Sequence, residues 1–101
     1  MKRHFATFAE FYPHYLHEHA HPVCRRLHFT GTALVALVLV AAMWTGEVRW
    51  LIAAPLLGYG FAWAGHFFFE RNRPATFSHP LYSLAGDWAM FRDMLTGRIR
   101  W

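Results

Sequence analysis

The chain has 101 residues, enough for one domain, and is 55% apolar and 19% aromatic but only 16% charged, below the roughly 25% usual in soluble proteins. Five Trp and ten Phe in so short a chain make lipid part of its expected solvent. The net charge of +4 suits nucleic acid or anionic lipid, but the basic residues flank apolar runs and no nucleic-acid-binding motif accompanies them. Membrane lipid is therefore the expected partner, and nucleic acid is not.

The start of the chain has no continuous apolar stretch, so a cleaved signal peptide is not expected. Thr7-Phe8-Ala9-Glu10 has the spacing of a capping box and predicts a short first helix over 8–19, with Pro13 positioned to kink it. His21-Pro22 then breaks the chain, and Pro22 suits the first turn of a second helix running to Trp44. The stretch "TALVALVLVAAMW" carries no charge, and about 23 helical residues rise roughly 34 Å, enough to cross a bilayer. Cys24 lies in the first turns of this helix, and as the single cysteine it rules out a disulfide framework.

"TGE" at 45–47 predicts a tight turn, after which a third helix returns over Val48 to Glu70 with Pro55 inside it. Gly58, Gly60, Ala62, Ala64 and Gly65 provide small residues for close approach to the second helix. Beyond "RNRPATFSHP" a fourth, amphipathic helix is expected from Pro80 to Leu95, stopped by Gly97, with Trp88, Met90, Phe91, Met94 and Leu95 at the membrane interface. The expected fold is all-α: a hairpin of two transmembrane helices flanked by short N- and C-terminal interfacial helices. Nine of the ten Lys and Arg lie before Leu27 or after Phe69, which places both termini on the cytoplasmic side.

The histidines follow from the hairpin. His28 lies sixteen residues before Trp44 and His66 eighteen after Val48, so in antiparallel helices they stand roughly 24 and 27 Å from the turn. His19 and His21 precede the second helix and His79 follows the third, which brings seven of the eight histidines, all but His4, to one mouth of the hairpin. Glu70, four residues after His66, shares its face on a regular helix, where a carboxylate can bind metal or orient an imidazole. His28 and His66 at matched depth near Glu70 point to a metal site. For His14, His17 and His21, which share a face that His19 does not, solvated decoration weighs as much as ligation.

No phosphate loop, nucleophile elbow or CxxC pair is present. Ser83 and Asp87 have i, i+4 spacing, but no oxyanion site supports a serine hydrolase.

The blocks "FYPHYLHEHAHPVCRRLHFTGT" and "GHFFFERNRPATFSHPLYSLAGD" resemble the two conserved segments of the DUF962, or Mpo1-like, membrane proteins. The resemblance implies an iron(II)-dependent dioxygenase that uses O2 to shorten 2-hydroxy fatty acids by one carbon. It also implies a ligand set of His19, His28 and His66, with His79 as a further metal-binding candidate. Glu70 occupies the acidic position, while Arg73 or Arg71 is expected to pair with the substrate carboxylate. The expected address is a bacterial inner membrane. Two other functions fit the same residues: a non-enzymatic metal- or lipid-binding membrane module, and a structural partner in a membrane complex.

Overall fold

The computed structural model describes residues 4–101, and among these every regular element is helical. Helix α1 covers Phe8–His17, α2 Pro22–Thr45, α3 Trp50–Gly65 and α4 Pro80–Leu95. A π-helical turn over His66–Glu70 extends α3, and a 3-10 turn over Ala75–Phe77 precedes α4. The molecule measures 43 × 26 × 25 Å, its long axis exceeding the about 36 Å rise of the 24-residue α2.

Local chemistry sets the boundaries. Thr7 caps α1, its hydroxyl accepting from the Glu10 N–H at 3.2 Å, while the Glu10 carboxylate reaches back to the Ala6 N–H at 3.1 Å. Pro13 is accommodated inside α1. The helix ends at His17, two residues before the sequence expectation, because Glu18 closes it and the chain turns extended at His21. His21 caps α2 through Nδ1, which accepts from the Val23 N–H at 3.1 Å, and Pro22 takes the first turn, where its missing N–H costs nothing. Gly46, at φ 72°, ends α2 in the left-handed conformation that glycine adopts without strain.

Helices α2 and α3 are long and apolar enough to cross a membrane, α3 together with its π-helical turn spanning Trp50–Glu70. Only 22% and 17% of their apolar stretches are buried, so these are not core helices of a soluble protein. Leu37, Val40, Met43, Ile52 and Leu56 point outward, as lipid-facing side chains do. Close packing between the two helices depends on glycine: a Cβ on Gly31 would stand 2.9 Å from Phe61 Cβ, and one on Gly65 3.1 Å from Cys24 Cα. Gly58 also faces α2, at 3.2 Å from Val35 Cγ2, whereas Gly60 faces open space.

A second body packs across the end of the hairpin where α2 begins and α3 finishes. Phe11 and Tyr15 from α1, Ala75, and Met90 and Met94 from α4 form its buried cluster. Met90 and Met94 are therefore covered by protein, while Leu95 on the same helix stays exposed. The amphipathic pattern of α4 reflects packing on α1 and α2 on one side and the exposed side chains Leu81, Leu84 and Leu95 on the other.

Candidate metal centre

Three histidines from three separate segments meet at this junction. His19 sits in the α1–α2 connection, His28 in the second turn of α2, and His66 at the start of the π-helical turn. Their exposures are 1%, 4% and 2%, far below what an interfacial, solvated imidazole would show. The ring centroids of His28 and His66 are 4.9 Å apart, and His19 lies 4.3 and 4.4 Å from them. One ring nitrogen from each falls within 4.8 Å of the others.

The protons on these rings are assigned by their neighbours. His19 Nδ1 lies 2.6 Å from the Tyr15 carbonyl, and His28 Nδ1 lies 2.9 Å from the Cys24 carbonyl. A carbonyl only accepts, so each Nδ1 donates. His66 Nδ1 is 2.6 Å from Asn72 Oδ1, and the Asn72 amide is oriented by its own donation to the Glu18 carbonyl at 3.1 Å. All three imidazoles are thus held as Nδ1–H tautomers, which leaves each Nε2 lone pair for a ligand.

His19 and His28 approach Nε2 to Nε2 at 3.0 Å. Two lone pairs at that distance repel unless a cation or a shared proton lies between them. A proton is disfavoured, because burial holds His19 well below the usual imidazole range and His28 and His66 lower it further. The donor set fits a divalent transition metal. Neutral imidazole nitrogens suit Fe(II), Zn(II) or Cu(II), and three protein ligands leave positions open for exogenous groups.

Residues 5–99 match the family described as "2-hydroxy-palmitic acid dioxygenase Mpo1-like". The chain belongs to the Mpo1-like family. No curated protein matches it, and no solved structure does.

In this Mpo1-like chain the other residues singled out from sequence fall outside the triad. His79 packs against Phe5 and Phe11, at 5.2 and 5.4 Å between ring centroids, and its Nδ1 lies 2.9 Å from the Ser78 hydroxyl. Glu70 accepts the backbone N–H of His21. The shared face of His66 and Glu70 assumed an α-helix; the wider π-helical turn changes that relationship, and the carboxylate instead tethers the segment that follows His19. Arg73 is exposed, with its guanidinium 5.4 Å from the Phe77 ring centroid, and Phe77 packs on Trp63. His14 pairs with Glu18 at 3.1 Å, His17 is exposed, and His21 serves as the cap of α2.

Sequence reading missed Asn72, Tyr15 and Gly86. Asn72 lies six residues after His66, a spacing with no meaning on an α-helix. It reaches the ring because the π-helical turn ends in Arg71 at φ 57°, folding the chain back until the Asn72 N–H meets the His66 carbonyl at 3.1 Å. Tyr15 stacks on His19 with centroids 4.0 Å apart, and its hydroxyl donates to Asp87. Gly86 lets that ring pass, since a Cβ there would stand 2.8 Å from Tyr15 Cδ2. The spacing Tyr15–His19, i to i+4, was the available signal.

Proposed function

We propose that this chain is an iron(II)-dependent dioxygenase that shortens 2-hydroxy fatty acids by one carbon at the membrane surface, with His19, His28 and His66 as the metal ligands. The observation that carries the reading is the convergence of three buried Nε2 lone pairs, each tautomer set by a carbonyl acceptor, in a chain of the Mpo1-like family. The overall reaction balances without a further reductant. A 2-hydroxy acid and O2 give the acid one carbon shorter, CO2 and water, and the substrate supplies all four electrons that O2 takes up. Iron(II), when bound, supplies the redox chemistry and open positions that let O2 and a hydroxy acid react.

The protein residues bind, orient and exclude water. Asn72 and the carbonyls of Tyr15 and Cys24 keep the three rings in register, so that little reorganisation accompanies metal binding. Tyr15, stacked on His19, covers that ring and is itself fully buried. Glu70 anchors the segment carrying His19 through the His21 N–H. Arg71 and Arg73 line an open depression with Asn72, Phe67 and Phe68, where two cations attract a fatty-acid carboxylate arriving along the membrane surface. With basic residues gathered at this end of the hairpin, both termini lie on the cytoplasmic side.

Incubation of the purified, iron-loaded protein with 2-hydroxy-palmitic acid in air tests the proposal, with anaerobic and chelator-treated controls. The expected product is the fatty acid one carbon shorter, formed only with both iron and O2. Unchanged substrate from fully iron-loaded protein would overturn it, in favour of a metal- or lipid-binding module without turnover.

A further inference from the structure

A cavity of about 310 Å³ runs beside the triad between α2, α3 and α4, within the roughly 300–1,000 Å³ range of small-molecule sites. On α2 it is lined by His28, Thr32, Val35 and Leu39, whose 4-3-4 spacing marks one helical face extending roughly 16 Å away from the histidine. Ala54, Pro55 and Gly58 face it from α3. Its polar groups gather at the histidine end, and the far end is aliphatic.

A second, much smaller cavity, of about 10 Å³, shares His28, Tyr59, Ala62 and Asp87 with the first and adds His66 and Trp63. The Trp63 Nε1–H is buried without an acceptor among the described residues, and a buried donor of this kind wants a partner. Asp87, in the lining of the same cavity, supplies an acceptor. A donor and an acceptor beside two metal-facing imidazoles match the carboxylate and the hydroxyl of a 2-hydroxy acid.

We infer that the acyl chain of the substrate lies inside the protein, in the α2–α3–α4 groove with its end near Leu39 and Pro55, rather than in the surrounding lipid. This rests on the proposed function for the identity of the head group. Gly58 and Val35 both line the groove, and a Cβ on Gly58 would stand 3.2 Å from Val35 Cγ2. Tyr59, Leu84 and Trp88 line the groove and are partly exposed, giving a side entrance from the bilayer. Groove length, and not bilayer thickness, then sets chain-length preference.

The test uses the full chain in nanodiscs with 2-hydroxy-palmitic acid carrying a terminal diazirine, and peptide mapping after photolysis. A phosphatidylcholine with the same labelled tail is the comparison. Labelling by the hydroxy acid is expected at Leu39, Ala54 and Pro55. Val35→Trp should reduce it at least five-fold, whereas Leu37→Trp, on the exposed face, should leave it unchanged. Labelling spread over the outward residues Leu37, Val40 and Ile52 would overturn the inference, as would equal labelling of the groove by phosphatidylcholine. The wild-type map decides even if Val35→Trp fails to fold. Turnover measured on the same sample separates the two readings: a shortened product with outward labelling removes the groove alone. Groove labelling with no product removes the dioxygenase alone.

Discussion

The Nε2 atoms of His19 and His28 face each other at 3.0 Å, while the Nδ1 of each ring donates to a backbone carbonyl four residues earlier. The pair repeats one local motif on two different segments, in a turn for His19 and within α2 for His28. Because each proton is committed on the far side of its ring, the near sides are free to face a shared cation, and His66 brings a third ring nitrogen within 4.8 Å of the other two.

Removing any one of the three donors should empty the site. His19→Ala, His28→Ala and His66→Ala, purified in detergent, are expected to retain less than about a tenth of the wild-type metal. His79→Ala and His17→Ala should retain all of it, since those side chains pack or point elsewhere. Elemental analysis of the five variants checks this, and metal loss in His79→Ala would require a different ligand set.

Asn72 acts through His66. Asn72→Leu keeps the volume but removes the acceptor that holds the His66 proton on Nδ1, and a loss of about 10- to 100-fold in metal affinity is expected. Asn72→Asp preserves the acceptor for His66 but gives up the donation to the Glu18 carbonyl, so it should recover part of it. Competition titration with a chelator of known affinity measures both, and indistinguishable affinities for Leu and Asp would show that the amide has no such role.

Gly86 is a packing device for the site. A Cβ at 2.8 Å from the Tyr15 ring meets a rigid group with no room to rotate, so Gly86→Ala should destabilise the protein by about 1–3 kcal/mol and weaken metal binding as His19 shifts with its stacking partner. Gly60→Ala, which meets nothing within 4 Å, should be neutral or stabilising by up to about 1 kcal/mol. Thermal unfolding of the two variants in detergent should separate them.

Asp87 makes stability depend on pH. Burial pushes its carboxyl up to about 6 from an ordinary 3.8, against the lowering effect of the Tyr15 hydroxyl. A folded-state value above the unfolded one means that folding favours the protonated form. The contribution is therefore complete below about pH 4 and lost as pH rises through about 6. Asp87→Asn stays neutral and still offers Tyr15 an acceptor, so it should gain on wild type by about 1–1.5 kcal/mol as pH rises from about 5 to 7.5, the remainder of a total of about 3 kcal/mol falling below pH 5. His19 titrates in both proteins and cancels in the difference. Parallel stability curves would place the carboxyl in water.

The chain order of apolar and punctuating residues was enough to define the hairpin. Pro22, Gly46 and the uncharged run before Trp44 bound α2 by rules that act within a few residues. Counting back from the turn brings His28 and His66 to the same depth because helical rise per residue is constant. The structure places their rings side by side.

Side-chain direction at the ends of helices was not legible in the same way. His19 turns inward because α1 stops at His17 and the connection is pinned by Asn72 and Glu70. Glu70 reaches the His21 N–H and Asn72 reaches the His66 ring because the last turn of the third helix is π-helical and closes in a left-handed residue. Periodicity describes a regular helix and carries no information about where regularity ends. Which groups support the three imidazoles is decided by contacts between segments tens of residues apart, which form only when the whole chain packs.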